Sequence, residues 1–92
     1  MPNTTQQISE LFVAAGKAHH HAFIATDGND PEWPLWYAEY LQDGLSRLLN
    51  ATLTRSDITY WVIKLDKAYR TANSSEDWSV WYAKQLQEAY DE

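Results

Sequence analysis

At 92 residues the chain can form one hydrophobic core but not two, and five Trp, six Tyr and two Phe are available to fill it. Seven Lys and Arg against thirteen Asp and Glu give a formal charge of -6, which repels phosphate backbones and anionic head groups and so argues against nucleic acid or a membrane surface as partner. The absence of cysteine excludes a disulfide framework and a thiolate zinc site.

The opening Met-Pro-Asn-Thr-Thr-Gln-Gln has no basic residue followed by an apolar stretch, and no apolar run approaches the ~20 residues that span a bilayer. A cytoplasmic protein is expected. The Asn-x-Ser/Thr triplets beginning at Asn3, Asn50 and Asn73 then have no bearing on glycosylation.

Four segments carry helical periodicity, and no segment alternates as a half-buried strand does. The first follows Thr4, whose hydroxyl and the side chain of Gln7 form a candidate capping box. Ile8, Phe12, Ala15, His19 and Ala22 fall on one stripe of it. The segment Thr26 to Pro31 ends it, because Gly28 and Pro31 oppose helix continuation. A second helix begins near Glu32 to Pro34, where proline suits the first turn and Asp30 and Glu32 suit the positive end of the macrodipole. Its predicted buried stripe is Trp33, Tyr37, Tyr40, Leu41, Leu45 and Leu48, and it stops between Asn50 and Thr54.

Ser56 and Asp57 are the expected entry to a third helix, with Ile58, Trp61, Val62, Leu65, Tyr69 and Ala72 inward. Asn73-Ser74-Ser75 breaks it. Glu76 and Asp77 open a fourth, whose apolar positions are Trp78, Trp81, Tyr82, Leu86 and Ala89.

The two halves resemble each other. The run Trp33-Pro-Leu-Trp36-Tyr37-Ala38 aligns with Trp78-Ser-Val-Trp81-Tyr82-Ala83, each after an acidic residue, and Ala22-Phe23 aligns with Ala68-Tyr69. The expected architecture is therefore a single all-α domain over residues 1–92, a four-helix bundle of two pseudo-repeated αα-hairpins at about residues 5–51 and 55–90. The first block, His20-x-x-Phe23 and then Asp30-Pro31-x-Trp33-Pro34-x-Trp36-Tyr37-Ala38-x-Tyr40-Leu41, also resembles a short motif of small bacterial proteins, sometimes a tail on other domains. That resemblance implies a bacterial source and a shared local structure, and no chemistry.

The run His19-His20-His21 is a weak metal motif, since neighbouring helical residues point ~100° apart and the residues three and four away, such as Ala15, Gly16 and Phe23, are not ligands. No metal and no cofactor is expected. Glu39 and Asp43 lack the histidine partners of a di-metal bundle, and Lys64, Lys67 and Arg70 form a small basic edge. Nothing in the chain has the pattern of a catalytic nucleophile with its base or of a phosphate-binding loop, so an enzyme is not expected.

The adjacent pairs Trp36-Tyr37 and Trp81-Tyr82 cannot all face inward, and the surplus must meet a second subunit or a ligand. The primary expectation is a non-enzymatic interaction or structural module, a homodimer joined through aromatic surface. The alternative is a small-molecule sensor or binding protein with an aromatic pocket bearing His20. The candidate ligand or interface residues are His20, Phe23, Trp33, Trp36, Tyr37, Tyr40, Asp66, Tyr69, Trp78, Trp81 and Tyr82. Alignment of Phe23 with Tyr69 makes His20 and Asp66 equivalent, and the expectation is that they pair between the first and third helices.

Overall fold

The computed structural model describes residues 4–26 and 29–90. Four helices, α1 (Thr4–Ala22), α2 (Trp33–Leu48), α3 (Arg55–Ala72) and α4 (Trp78–Tyr90), are joined by a 3-10 turn at Ile24–Thr26 and by short loops, with no strand among the described residues. Each helix packs on its chain neighbours, and α4 closes on α1 to complete a four-helix bundle. Helices α1 and α3 therefore lie on one diagonal, and α2 and α4 on the other.

Local chemistry explains the helix boundaries. Thr4 is already helical, so it does not stand as the cap expected of it, and Asp27 and Gly28 of the first break lie outside the described residues. Trp33 and Pro34 are the first two residues of α2, so the missing proline N–H lies in the turn that needs none. At the other end Asn50 takes a left-handed φ of 52°, Ala51 N–H bonds the Ser46 carbonyl at 3.0 Å, and Asn50 N–H bonds that of Arg47 at 3.3 Å. This is a Schellman closure, with asparagine in the place glycine usually takes.

The entry to α3 differs from expectation. Thr54 caps it, accepting the Asp57 N–H at 3.1 Å while Asp57 accepts the Thr54 N–H at 2.9 Å, so Asp57 is the third helical residue and Ser56 has no capping role. Asn73, at φ 50°, stops α3. The Asp77 carboxylate receives the Ser79 N–H at 3.2 Å and opens α4.

Ile8, Phe12 and Ala15 of α1, Leu41 and Leu45 of α2, Ile58, Val62 and Leu65 of α3, and Leu86 of α4 form the core, with Leu53 closing one end. Three alanines and a tyrosine assigned to buried stripes are exposed instead. Ala22, Ala72 and Ala89 lie in the last turn of their helices, and Tyr40 is one step around α2 from the buried Leu41. Ala38, Ala83 and Ser79 are buried in their stead. Ala38 and Ala83 occupy matching places after the two Trp-x-x-Trp-Tyr runs, so the helices meet on small residues and the larger rings are pushed to the flanks. Gly44 serves the same end: a Cβ there would lie 2.8 Å from Leu11 Cδ2, well inside normal carbon contact.

Candidate functional site

The flanking rings enclose a cleft of about 600 Å³ to which all four helices contribute. Phe12 and Val62 reach it from the core, Trp33 and Tyr37 come from α2, and Trp78 and Tyr82 from α4. Asp66, Tyr69 and Arg70 line it from α3, and Asn29 and Asp30 from the first loop. The twin runs place their rings alike: Trp33 meets Tyr37 at 5.9 Å and 85°, and Trp78 meets Tyr82 at 5.4 Å and 78°. Edge-to-face pairs of this kind are favourable beyond the area they bury.

The histidine of the cleft is His19. It continues the stripe of Ile8, Phe12 and Ala15, and its ring stacks on Tyr37 (5.2 Å, 26°), lies against Phe23 (4.9 Å) and meets the edge of Trp36 (5.0 Å, 80°). Its Nε2–H donates to Asp30 Oδ2 at 3.1 Å, with the two side chains only 10% and 9% exposed. Asp30 Oδ1 accepts the Glu32 N–H at 3.0 Å. One carboxylate therefore ties the end of α1 to the start of α2 and holds the imidazole beside the cleft.

The expected partnership of His20 with Asp66 does not form. His20 is exposed and lines a separate surface groove with Lys17, His21 and Asp77, whereas Asp66 lines the cleft and pairs with Arg70 Nη2 at 3.2 Å. Two geometric reasons account for this: α1 and α3 stand on the diagonal, and His20 is rotated ~100° from the stripe that carries His19. The other candidates divide by position. Trp33, Tyr37, Tyr69, Trp78 and Tyr82 line the cleft with Asp66, Phe23 and Trp36 support His19, and Trp81 packs on Tyr69 at 5.4 Å. Tyr40 stacks on Trp36 (5.4 Å, 14°) at the surface. His19, Asp30 and Arg70 were not among the sequence candidates. His19 was legible as the one ionisable residue on an otherwise apolar stripe.

The Tyr69 hydroxyl is committed to the Glu76 carbonyl at 2.6 Å. Those of Tyr37 and Tyr82 have no hydrogen-bond partner among the described residues. Burial pushes the Tyr37 phenol up, and it pushes Tyr82 up to about 12, aided by the nearby Asp66 carboxylate and opposed by Arg70. Both stay neutral donors at physiological pH. A phenol whose folded pKa exceeds its unfolded value stabilises the fold fully below the unfolded pKa of ~10, and that contribution is lost as pH rises through the folded one. Between pH 10 and about 12, stability is thus expected to fall while tyrosinate absorbance shows Tyr82 ionising late. Substituting Tyr82→Phe should remove the part of the late component that is not Tyr37, and loss of only an ordinary component near the unfolded pKa of ~10 would show that the Tyr82 ring is not buried as described.

Among the described residues no group of three or more His, Cys, Asp or Glu is placed to hold a metal ion, and no helix is long and apolar enough to cross a membrane. No family model matches the chain, and no curated protein or solved structure matches it either.

Proposed function

We propose that the chain is a small-molecule-binding protein that holds its ligand, without turnover, in the aromatic cleft between its four helices. The observation that carries this reading is a cleft of about 600 Å³ walled by Trp33, Tyr37, Trp78 and Tyr82, with the polar side chains of Asn29, Asp66 and Arg70 in the same lining. Binding sites for small molecules combine this size with aromatic walls and a few polar anchors. His19, held by Asp30 and flanked by three rings, supports binding more than proton transfer, because its geometry is fixed by contacts on several sides. The histidine of this pocket is His19, and not the His20 expected from the sequence.

The test is a pool of neutral aromatic and alicyclic fragments added to isotope-labelled protein. Chemical-shift changes should concentrate on Trp33, Tyr37, Tyr69 and Tyr82 and be lost when the exposed mouth residue is changed, Asn29→Trp. Shifts scattered over the surface, or unaltered by that block, would overturn the reading.

Self-association is a second reading, favoured by a shallow groove where Leu35 and Tyr60 are 57% and 58% exposed beside Ile63. A second copy of the chain would cover it. Sedimentation should then show a dimer that Tyr60→Glu dissociates, whereas a strictly monomeric species at micromolar concentration would remove this second reading and leave the first.

A further inference from the structure

We infer that the ligand of this cleft is an organic cation, with Asp66 as its counter-ion and Arg70 as the resident cation it displaces. The inference rests on the cleft being a ligand site and goes further, to the charge of what enters.

Four ring systems, Trp33, Tyr37, Trp78 and Tyr82, line the space as two nearly perpendicular pairs. The negative faces of indole and phenol attract ammonium and guanidinium groups, most strongly where water is excluded. Burial keeps both unpartnered phenols protonated, so the walls stay uncharged and no tyrosinate forms there at physiological pH.

Two carboxylates line the cleft, and they are not equivalent. Asp30 is spent on His19 through one oxygen and on the Glu32 N–H through the other. Asp66 is less committed, since among the described residues its only ion pair is with Arg70 through Oδ2. Arg70 is 77% exposed and sits at the rim, one helical turn from Asp66 on the same helix. Pairs this exposed contribute little and exchange readily with water. An incoming cation with an organic body would place its charge beside Asp66 and its carbon surface against the rings, while the Arg70 guanidinium turns outward into solvent. The formal charge of -6 on the chain adds a field that draws cations in and repels anions. The cleft volume leaves room for a body much larger than a methylated ammonium head.

The test uses two probes of the same shape and size that differ in charge, choline and 3,3-dimethylbutan-1-ol, titrated into the full chain at fixed ionic strength and followed by shifts of the Trp33, Tyr37 and Tyr82 ring signals. Choline is expected to bind about tenfold tighter than the alcohol, the scale of a desolvated cation over aromatic faces. Arg70→Gln should tighten choline about two- to fivefold by freeing Asp66, and Asp66→Asn should weaken it by about tenfold or more, with circular dichroism confirming that both variants fold. The opposite signs under the two variants are the decisive readout.

Equal binding of the two probes would overturn the cation assignment and leave the cleft as a site for neutral ligands. Weaker choline binding in Arg70→Gln, together with Arg70-dependent binding of benzoate, would overturn it in favour of an anion. Silence of both probes while neutral fragments still occupy the cleft overturns the charge assignment alone. Silence of probes and fragments together removes both this inference and the ligand site.

Discussion

Replacing Phe12 with alanine is expected to lower folding stability by about 3–5 kcal/mol, the usual cost of emptying a buried phenylalanine site. Phe12 is buried and meets Tyr82 at 5.4 Å and 89° and Trp78 at 6.1 Å and 80°, so one ring fastens α1 to α4 at the inner end of the cleft. Truncation loses the transfer free energy of the ring and leaves a void that cannot close without moving both partners. Small domains are stable by only ~5–15 kcal/mol, so the variant should be close to unfolding at 37 °C. Urea denaturation should show a lower midpoint with little change in slope. A loss below about 1 kcal/mol would mean that the ring does not occupy the α1–α4 seam.

The second large effect is expected at Asp30. Alanine there removes the acceptor of the His19 Nε2–H and that of the Glu32 N–H together. Leaving a donor unsatisfied where it is shielded from water costs ~1–3 kcal/mol, so a total of about 2–4 kcal/mol is expected, reduced because Glu32 is exposed and its N–H can turn to solvent. Asp30→Asn keeps a carbonyl acceptor and should cost about 1 kcal/mol, the scale of one hydrogen bond. Urea melts of the two variants provide the check. If Asp30→Ala unfolds at the parent midpoint, the carboxylate does not join α1 to α2.

The four helices were legible because several local signals agree on each of them. Pro34 after Trp33, the left-handed Asn50 and Asn73, and the Asp77 carboxylate all act at the boundaries that the periodicity of Leu41, Leu45, Val62 and Leu65 also indicates. Spacing alone does not single out Thr54 as the cap, because Ser56 and Asp57 are also good capping residues, and only the reciprocal bond between Thr54 and Asp57 decides among them.

The site was less legible, for a geometric reason. Alignment of the two halves says which residues are equivalent, and it does not say toward which neighbour either one points. His20 and Asp66 are equivalent by alignment, yet one is on the outer surface of α1 and the other faces the cleft from α3. Ala38 and Ala83 do not stand out in the sequence for a related reason: hydrophobic stripes favour large side chains, whereas close approach of helices selects small ones. Asp30 could not be assigned to His19 from spacing, because their contact depends on how the chain folds back between α1 and α2.

His19, and not its neighbour His20, lines the aromatic cleft shared by all four helices. Nuclear Overhauser contacts from the imidazole protons test it directly. His19 should show contacts to the rings of Tyr37, Trp36 and Phe23, with upfield ring-current shifts, and His20 should show none of these. Contacts from His20 to the Tyr37 or Tyr82 rings, with His19 giving only sequential ones, would contradict the placement of the cleft and the function built on it.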